Sequence, residues 1–164
     1  MGTGATKAIG NPWYEARMEA SRKNPRLCSR EGAAEALSMS VSAVADAELG
    51  LSKSMPVDKA VSMAELYGDP ALLNYYCLHE CPIGRRRALS CDRIGIDRAT
   101  VKLTQVLRKE TVQWFKHGLQ DIAADGVVSD DEFDVFDQIV DELRGVARII
   151  SQIEIIRDKK KGCV

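Results

Sequence analysis

The side chains able to bind or react fall into three small groups. Cys77, His79 and Cys81 stand close together, with Cys91 next along the chain. Thiolate and imidazole are zinc ligands, but a structural zinc centre takes four of them, usually as two close pairs. The second histidine, His117, lies in another element. Cys77 and Cys81 are one helical turn apart, which equally suits a buried contact, so these residues read as core thiols and no metal is expected. Five cysteines are an odd number, and with no secretory leader pattern the thiols are expected to be reduced. The second group, Asp121, Asp125, Gly126 and Glu132, falls at positions 1, 5, 6 and 12 of a calcium-binding loop, with Val128 at position 8. Ala123 supplies no ligand at position 3, and a glycine stop followed by a capping box explains the same residues without an ion. The third group is basic: Arg22, Lys23, Arg26, Arg30, Lys53 and the run Arg85-Arg86-Arg87, all potential counter-charge for phosphate. There is no phosphate-cradling glycine loop and no nucleophile or metal motif around either histidine. An enzyme is not expected, nor a cofactor.

Composition says what must position these residues. Hydrophobic residues are 45% and aromatics only 5% of the 164, so the core is built mainly from Leu, Ile, Val and Ala, which suits helix on helix. Net charge is −1, with 12 basic and 11 acidic residues through residue 95 and 11 and 13 after it. A nucleic-acid surface would therefore have to arise from local clustering, because the global charge does not provide one. No apolar run is long enough to span a bilayer, so no membrane partner and a cytoplasmic location are expected. Met1-Gly2 through Thr6 fits a myristoylation consensus, and residues 1–10 are read more simply as a disordered leader.

Punctuation along the chain predicts all-α structure. Asn11-Pro12 is a helix start, with Asn as N-cap and Pro at the first position; Trp13, Ala16, Arg17 and Ala20 follow at helical spacing. That helix should end before Asn24-Pro25. Ser29-Arg30-Glu31-Gly32 opens a second helix with the small stripe Ala33, Ala34 and Leu37. Ser38-Met39-Ser40 is a turn, Ser40 caps a third helix through Ala47, and Gly50 ends it. Pro56 starts a fourth helix that stops at Tyr67-Gly68, and Asp69-Pro70 starts a fifth that ends at Cys81-Pro82-Ile83-Gly84. Residues 85–96 read as a basic linker. Two long helices are expected over 97–124 and 129–158, broken at Asp125-Gly126, with residues 159–164 as a basic tail. The second carries Phe133, Phe136, Val140, Leu143, Ala147, Ile150 and Ile153, spaced by threes and fours as a packed seam requires. A hairpin so rich in Ile and Val should pack on the first part of the chain or on a second copy.

The stretch from Ala33 to Gly50 carries the strongest functional signal. Two short helices joined by a tight turn leave the N-terminal turn of the second pointing outward, the arrangement that enters a major groove. It resembles the lambda-repressor-like (Xre) helix-turn-helix family, in particular a type found in Firmicute genomes and mobile elements. The shared motifs are Ser29-Arg30-Glu31, Ala33-Ala34-Glu35, Ser40, Ala45-Asp46, Glu48-Leu49-Gly50, Pro56-Val57-Asp58, Met63-Ala64-Glu65-Leu66-Tyr67, and Tyr76-Cys77 through Cys81-Pro82-Ile83-Gly84. They cover residues 11–84. The family's helical C-terminal tail has a turn matched by Asp125 to Glu132. The resemblance implies a five-helix DNA-binding domain over 11–84, followed by a helical hairpin over 97–158 for dimerisation or interaction, and a role as a bacterial transcriptional regulator.

On that reading Arg30 and Lys53 contact phosphate, while Ser40, Val41, Ser42, Ala43 and Asp46 form the DNA-facing surface. Two positions depart from the family: Ala47, where a large polar or aromatic residue is common, and Ala43, where a hydroxyl is. The exposed face therefore lacks Arg, Lys, Asn and Gln, the side chains whose bidentate pairs with bases each contribute ~1–3 kcal/mol of discrimination. Weak direct readout is expected. The expected partners are duplex DNA and a second copy of the chain. The alternative is an interaction module of the same fold whose DNA-reading face is eroded and whose hairpin binds a protein.

Overall fold

The computed structural model describes residues 7–52, 55–124 and 126–162. Among them the regular structure is entirely helical, as the composition predicted. The chain divides into two compact units: one runs to Arg87 and also takes in the end of the chain from Arg157, and the other is Ala88–Ile156.

The first unit contains α1 (Pro12–Ser21), a 3-10 turn (Pro25–Cys28), α2 (Arg30–Leu37), α3 (Val41–Leu49), α4 (Val57–Tyr67), α5 (Ala71–His79) and a second 3-10 turn (Gly84–Arg86). Its helix ends are sealed locally. The Asn11 side chain accepts from the backbone N–H of Trp13 at 2.9 Å, with Pro12 in the first helical position. Ser29 accepts from Gly32 N at 3.0 Å and Ser40 from Ala43 N at 3.1 Å. Gly50 and Gly68 end α3 and α4 in the left-handed region, at φ +67° and +63°. Each of these caps satisfies backbone groups that a helix terminus would otherwise leave unpaired. Lys7–Gly10, read from the sequence as leader, instead make a turn: Ala8 is fully buried and its carbonyl accepts from Asn11 N. Residues 1–6 lie outside the described residues.

The core of this unit is Trp13, Ala16, Leu27, Ala33, Ala34, Leu37, Val44, Ala47, Met55, Ala60, Met63, Ala64, Tyr67 and Leu72. The many alanines let α1 to α5 approach closely. Two further bonds tie the α3–α4 connection to α5: Tyr76 Oη donates to Met55 O at 3.0 Å, and Met55 N donates to a Glu80 carboxylate oxygen at 3.1 Å. At the end of α5 the thiols are half-buried and unbridged. Cys81 Sγ accepts from Gly84 N at 3.4 Å. Burial, and then the neighbouring Cys81, push the Cys77 thiol above its ordinary pKa.

The second unit contains α6 (Ile96–Val106), α7 (Lys109–Ile122) and most of α8 (Phe133–Lys161). The single helix expected over 97–124 is two helices. Leu107 and Arg108 leave the helical region, with ψ of 36° and 151°. No proline or glycine causes the break. The end of α6 is rich in the β-branched residues Thr100, Val101, Thr104 and Val106, which are weak helix formers. Arg108 then turns its Nε onto Gln105 O at 2.8 Å, covering a carbonyl that the helix end exposes. The stretch read as a linker is held in place. Ser90 N donates to Ser151 Oγ at 2.9 Å, and the Gln152 side-chain amide donates to Ser90 Oγ at 2.9 Å and to Asp92 at 3.1 Å. Before α8, Ser129 donates from both its backbone N and its Oγ to the Glu132 carboxylate, the reach-back half of a capping box. Asp125 of the calcium-loop pattern lies outside the described residues. Among those described, no three His, Cys, Asp or Glu side chains gather as a metal site would need, and no helix is long and apolar enough to cross a membrane.

Candidate nucleic-acid interface

The residues expected to face DNA stand at the start of α3, and local chemistry exposes that turn. α2 ends at Ser38, whose φ of +50° is the only positive value at a described non-glycine residue. A left-handed conformation there costs roughly 1 kcal/mol. It is sustained by the closing bonds from Met39 N to Ala34 O at 2.9 Å and from Ser38 N to Glu35 O at 3.2 Å. Ser40 then caps α3. Behind the turn, Ala33, Ala34, Leu37, Val44 and Ala47 are buried with Met39 partly so, and small side chains at the crossing let α2 and α3 pack tightly.

A buried ionic cluster fixes the orientation of this pair. Glu48, in the last turn of α3, is fully buried. Its carboxylate takes Arg17 Nε of α1 at 2.5 Å on one oxygen, and Arg17 Nη2 at 3.1 Å and Arg30 Nε of α2 at 2.7 Å on the other. Arg17 also donates to Leu27 O at 2.7 Å and Cys28 O at 3.1 Å, which ties in the 3-10 turn. Burial alone would lower the Arg17 pKa, but the hydrogen bond and charge of Glu48 outweigh it and hold the guanidinium ionised. Tyr67 lies in the field of the same pair; burial first, and then the Glu48 carboxylate, raise its pKa far above the usual phenol value. From the sequence Arg17 reads only as part of the first helix and Glu48 only as part of a shared motif, and neither is among the expected site residues. The available signal was an arginine inside the Trp13/Ala16/Ala20 stripe, where a charge is buried only with a partner.

The expected site residues separate into two groups. Val41 is 40% exposed; Ser42 and Asp46 are exposed and Ala43 is half-buried. Ser40 Oγ is exposed and shared between its cap bond and Ser42 Oγ at 3.0 Å. These five share the outer face of the first turns of α3. Arg30 stands apart: its Nε is committed to Glu48 and its side chain is 27% exposed, so it braces the fold as well as reaching solvent. Lys53 lies outside the described residues. Other basic residues near α2 carry partners, with Arg26 on Glu35 and Arg22 on Glu19, both at 2.9 Å and all four side chains well exposed. Such exposed pairs contribute little to stability. Lys59 was not anticipated; its ammonium lies 3.4 Å from Leu37 O, at the negative end of α2.

No family model, curated protein or solved structure matches the chain.

Proposed function

We propose that this protein is a cytoplasmic transcriptional regulator of the Xre type that binds duplex DNA without a catalytic step, setting the first turn of α3 in the major groove. One observation carries the reading: a capped, outward α3 terminus held in fixed orientation to α2 by the buried Glu48 carboxylate and its two arginines. Rigid placement of a helix end is what groove insertion requires. Val41 and Ala43 offer methyl groups for thymine, and Ser42 a hydroxyl. With no guanidinium or amide on this face, specificity would rest on backbone positioning and on DNA shape. One such domain covers one half-site, so two copies act together.

The composition of that same face favours a second reading, an adaptor of the same fold that binds a protein through α6 to α8. One substitution separates the two. Ala43 is the third residue of α3, three positions after the Ser40 cap. Ala43→Glu therefore completes a capping box and places a carboxylate at the positive end of the helix, so stability should hold or rise by up to ~1 kcal/mol. It also drives a negative charge towards phosphate and base acceptors. A regulator of this kind loses specific binding in a titration against the neighbouring promoter sequence with a scrambled control. Unimpaired operator binding by a folded Ala43→Glu protein would remove α3 from the groove. Absence of DNA binding by the unaltered protein at low salt would leave the adaptor.

A further inference from the structure

The two units differ in how they treat apolar side chains. In the first, α1 to α5 pack closely around a shared core. In the second, α6, α7 and α8 make no comparably close approach to one another, and large apolar residues stay in solvent on all three. One such patch runs along α8, a helix of 29 residues. Phe133, Leu143 and Ile150 are 56%, 41% and 48% exposed, and Phe136, Val140 and Ala147 between them are half-buried. Spaced alternately by threes and fours, these six form one seam, the pattern of a helix that pairs with another helix. α7 already occupies the neighbouring flank, where Gly118 lies against Ile139 and Val135.

Charge identifies the occupant. From Phe133 to Glu142 the helix carries Asp134, Asp137, Asp141 and Glu142 and no cation; from Leu143 to Arg148 it carries Arg144 and Arg148 and no acid. Asp137 and Arg144 each directly follow a seam residue, Phe136 and Leu143, so both border the seam on one edge. Both are exposed, and neither has an ion pair among the described residues. A second α8 running antiparallel presents the same edge in reverse, so each Asp137 meets the partner's Arg144. Side-chain volumes agree with this register: Phe136 falls opposite Ala147, Val140 opposite Leu143 and Phe133 opposite Ile150, a large residue against a smaller one in each layer. A parallel pair would set acid beside acid, Phe136 on Phe136 and Ala147 on Ala147. We propose that α8 is the interface with a second copy of this chain, in a two-fold antiparallel pair with Phe136 opposite Ala147 and Asp137 opposite Arg144. A surface that complements itself under a two-fold axis is what an isologous dimer needs. The inference is independent of DNA binding, since an adaptor would pair in the same way.

Sedimentation equilibrium of the full chain tests it. The unaltered protein is expected to be dimeric at about 100 µM. Leu143→Asp, which puts a carboxylate in the central layer, should give a monomer of unchanged helicity. Because that change falls in an apolar stripe, a surface exchange provides an independent arm. Asp137→Arg and Arg144→Asp alone should each weaken the dimer by roughly tenfold at low salt, since each turns two attractions into two repulsions, and the double variant should restore it. A monomeric unaltered protein, a dimer indifferent to Leu143→Asp in a folded chain, or a double variant no tighter than the singles would each overturn the proposal.

Discussion

Glu48 accepts from two arginines in a place water does not reach, and its loss should be felt mainly through Arg17. Arg17 is 3% exposed and pairs with no other acid among the described residues, whereas Arg30 reaches solvent and can be hydrated. Truncation to Glu48→Ala strands the Arg17 guanidinium and is expected to cost about 3–5 kcal/mol in urea unfolding, the penalty for breaking a buried pair by removing one member. Glu48→Gln keeps the shape and one acceptor, so its loss should be clearly smaller. Equal losses for the two variants would mean that packing, and not charge, holds the cluster. On the proposed reading the same cluster also governs DNA binding, since any tilt of α3 moves Val41 and Ser42.

At the scale of the element, Gly32 shows a local preference reversed by a neighbour. Glycine inside a helix ordinarily costs roughly 0.5–1 kcal/mol relative to alanine, so Gly32→Ala should stabilise α2. A Cβ at this position, however, would run into the backbone carbonyl of Arg26 in the preceding 3-10 turn. Backbone cannot yield as a flexible side chain does, and overpacking of this kind costs typically 1–3 kcal/mol. The clash outweighs the propensity gain, and a net lowering of the melting temperature is expected. A raised melting temperature would show that the turn and the start of α2 separate easily. The two helices after residue 95 illustrate the same competition: β-branched residues weaken the end of α6, and the Arg108 side chain covers a carbonyl at the break. Their apolar spacing alone reads as one continuous helix.

For the whole molecule, close packing in one unit and exposed seams in the other imply unequal local stability. Amide exchange should be slowest in α1, α3 and α4, which frame Trp13, Val44 and Met63, all at most 1% exposed. α6 and α7 should exchange faster, because Ala99, Phe115 and Ile122 are the only side chains they bury. Protection in α8 should rise with protein concentration as copies pair. Uniform protection at every concentration would contradict both the contrast between the units and the pairing.

How much of this was legible in advance follows from the range of each interaction. The caps at Asn11, Ser29 and Ser40 and the glycine stops at Gly50 and Gly68 close within one turn of the chain, so residue types and spacing alone determined them and, through them, the five helices up to His79. The all-α class and the apolar seam of α8 were equally readable, as periodicity is a property of consecutive residues. Tertiary structure decided the rest. Glu48 meets Arg17 across 31 residues and Arg30 across 18, and Gln152 meets Ser90 across 62. No spacing rule selects these partners, because which groups meet depends on how helix faces are set against one another. Arg30 illustrates the boundary: its position at the start of α2 was evident from the chain, while its engagement by a buried carboxylate arises only when α3 packs behind it.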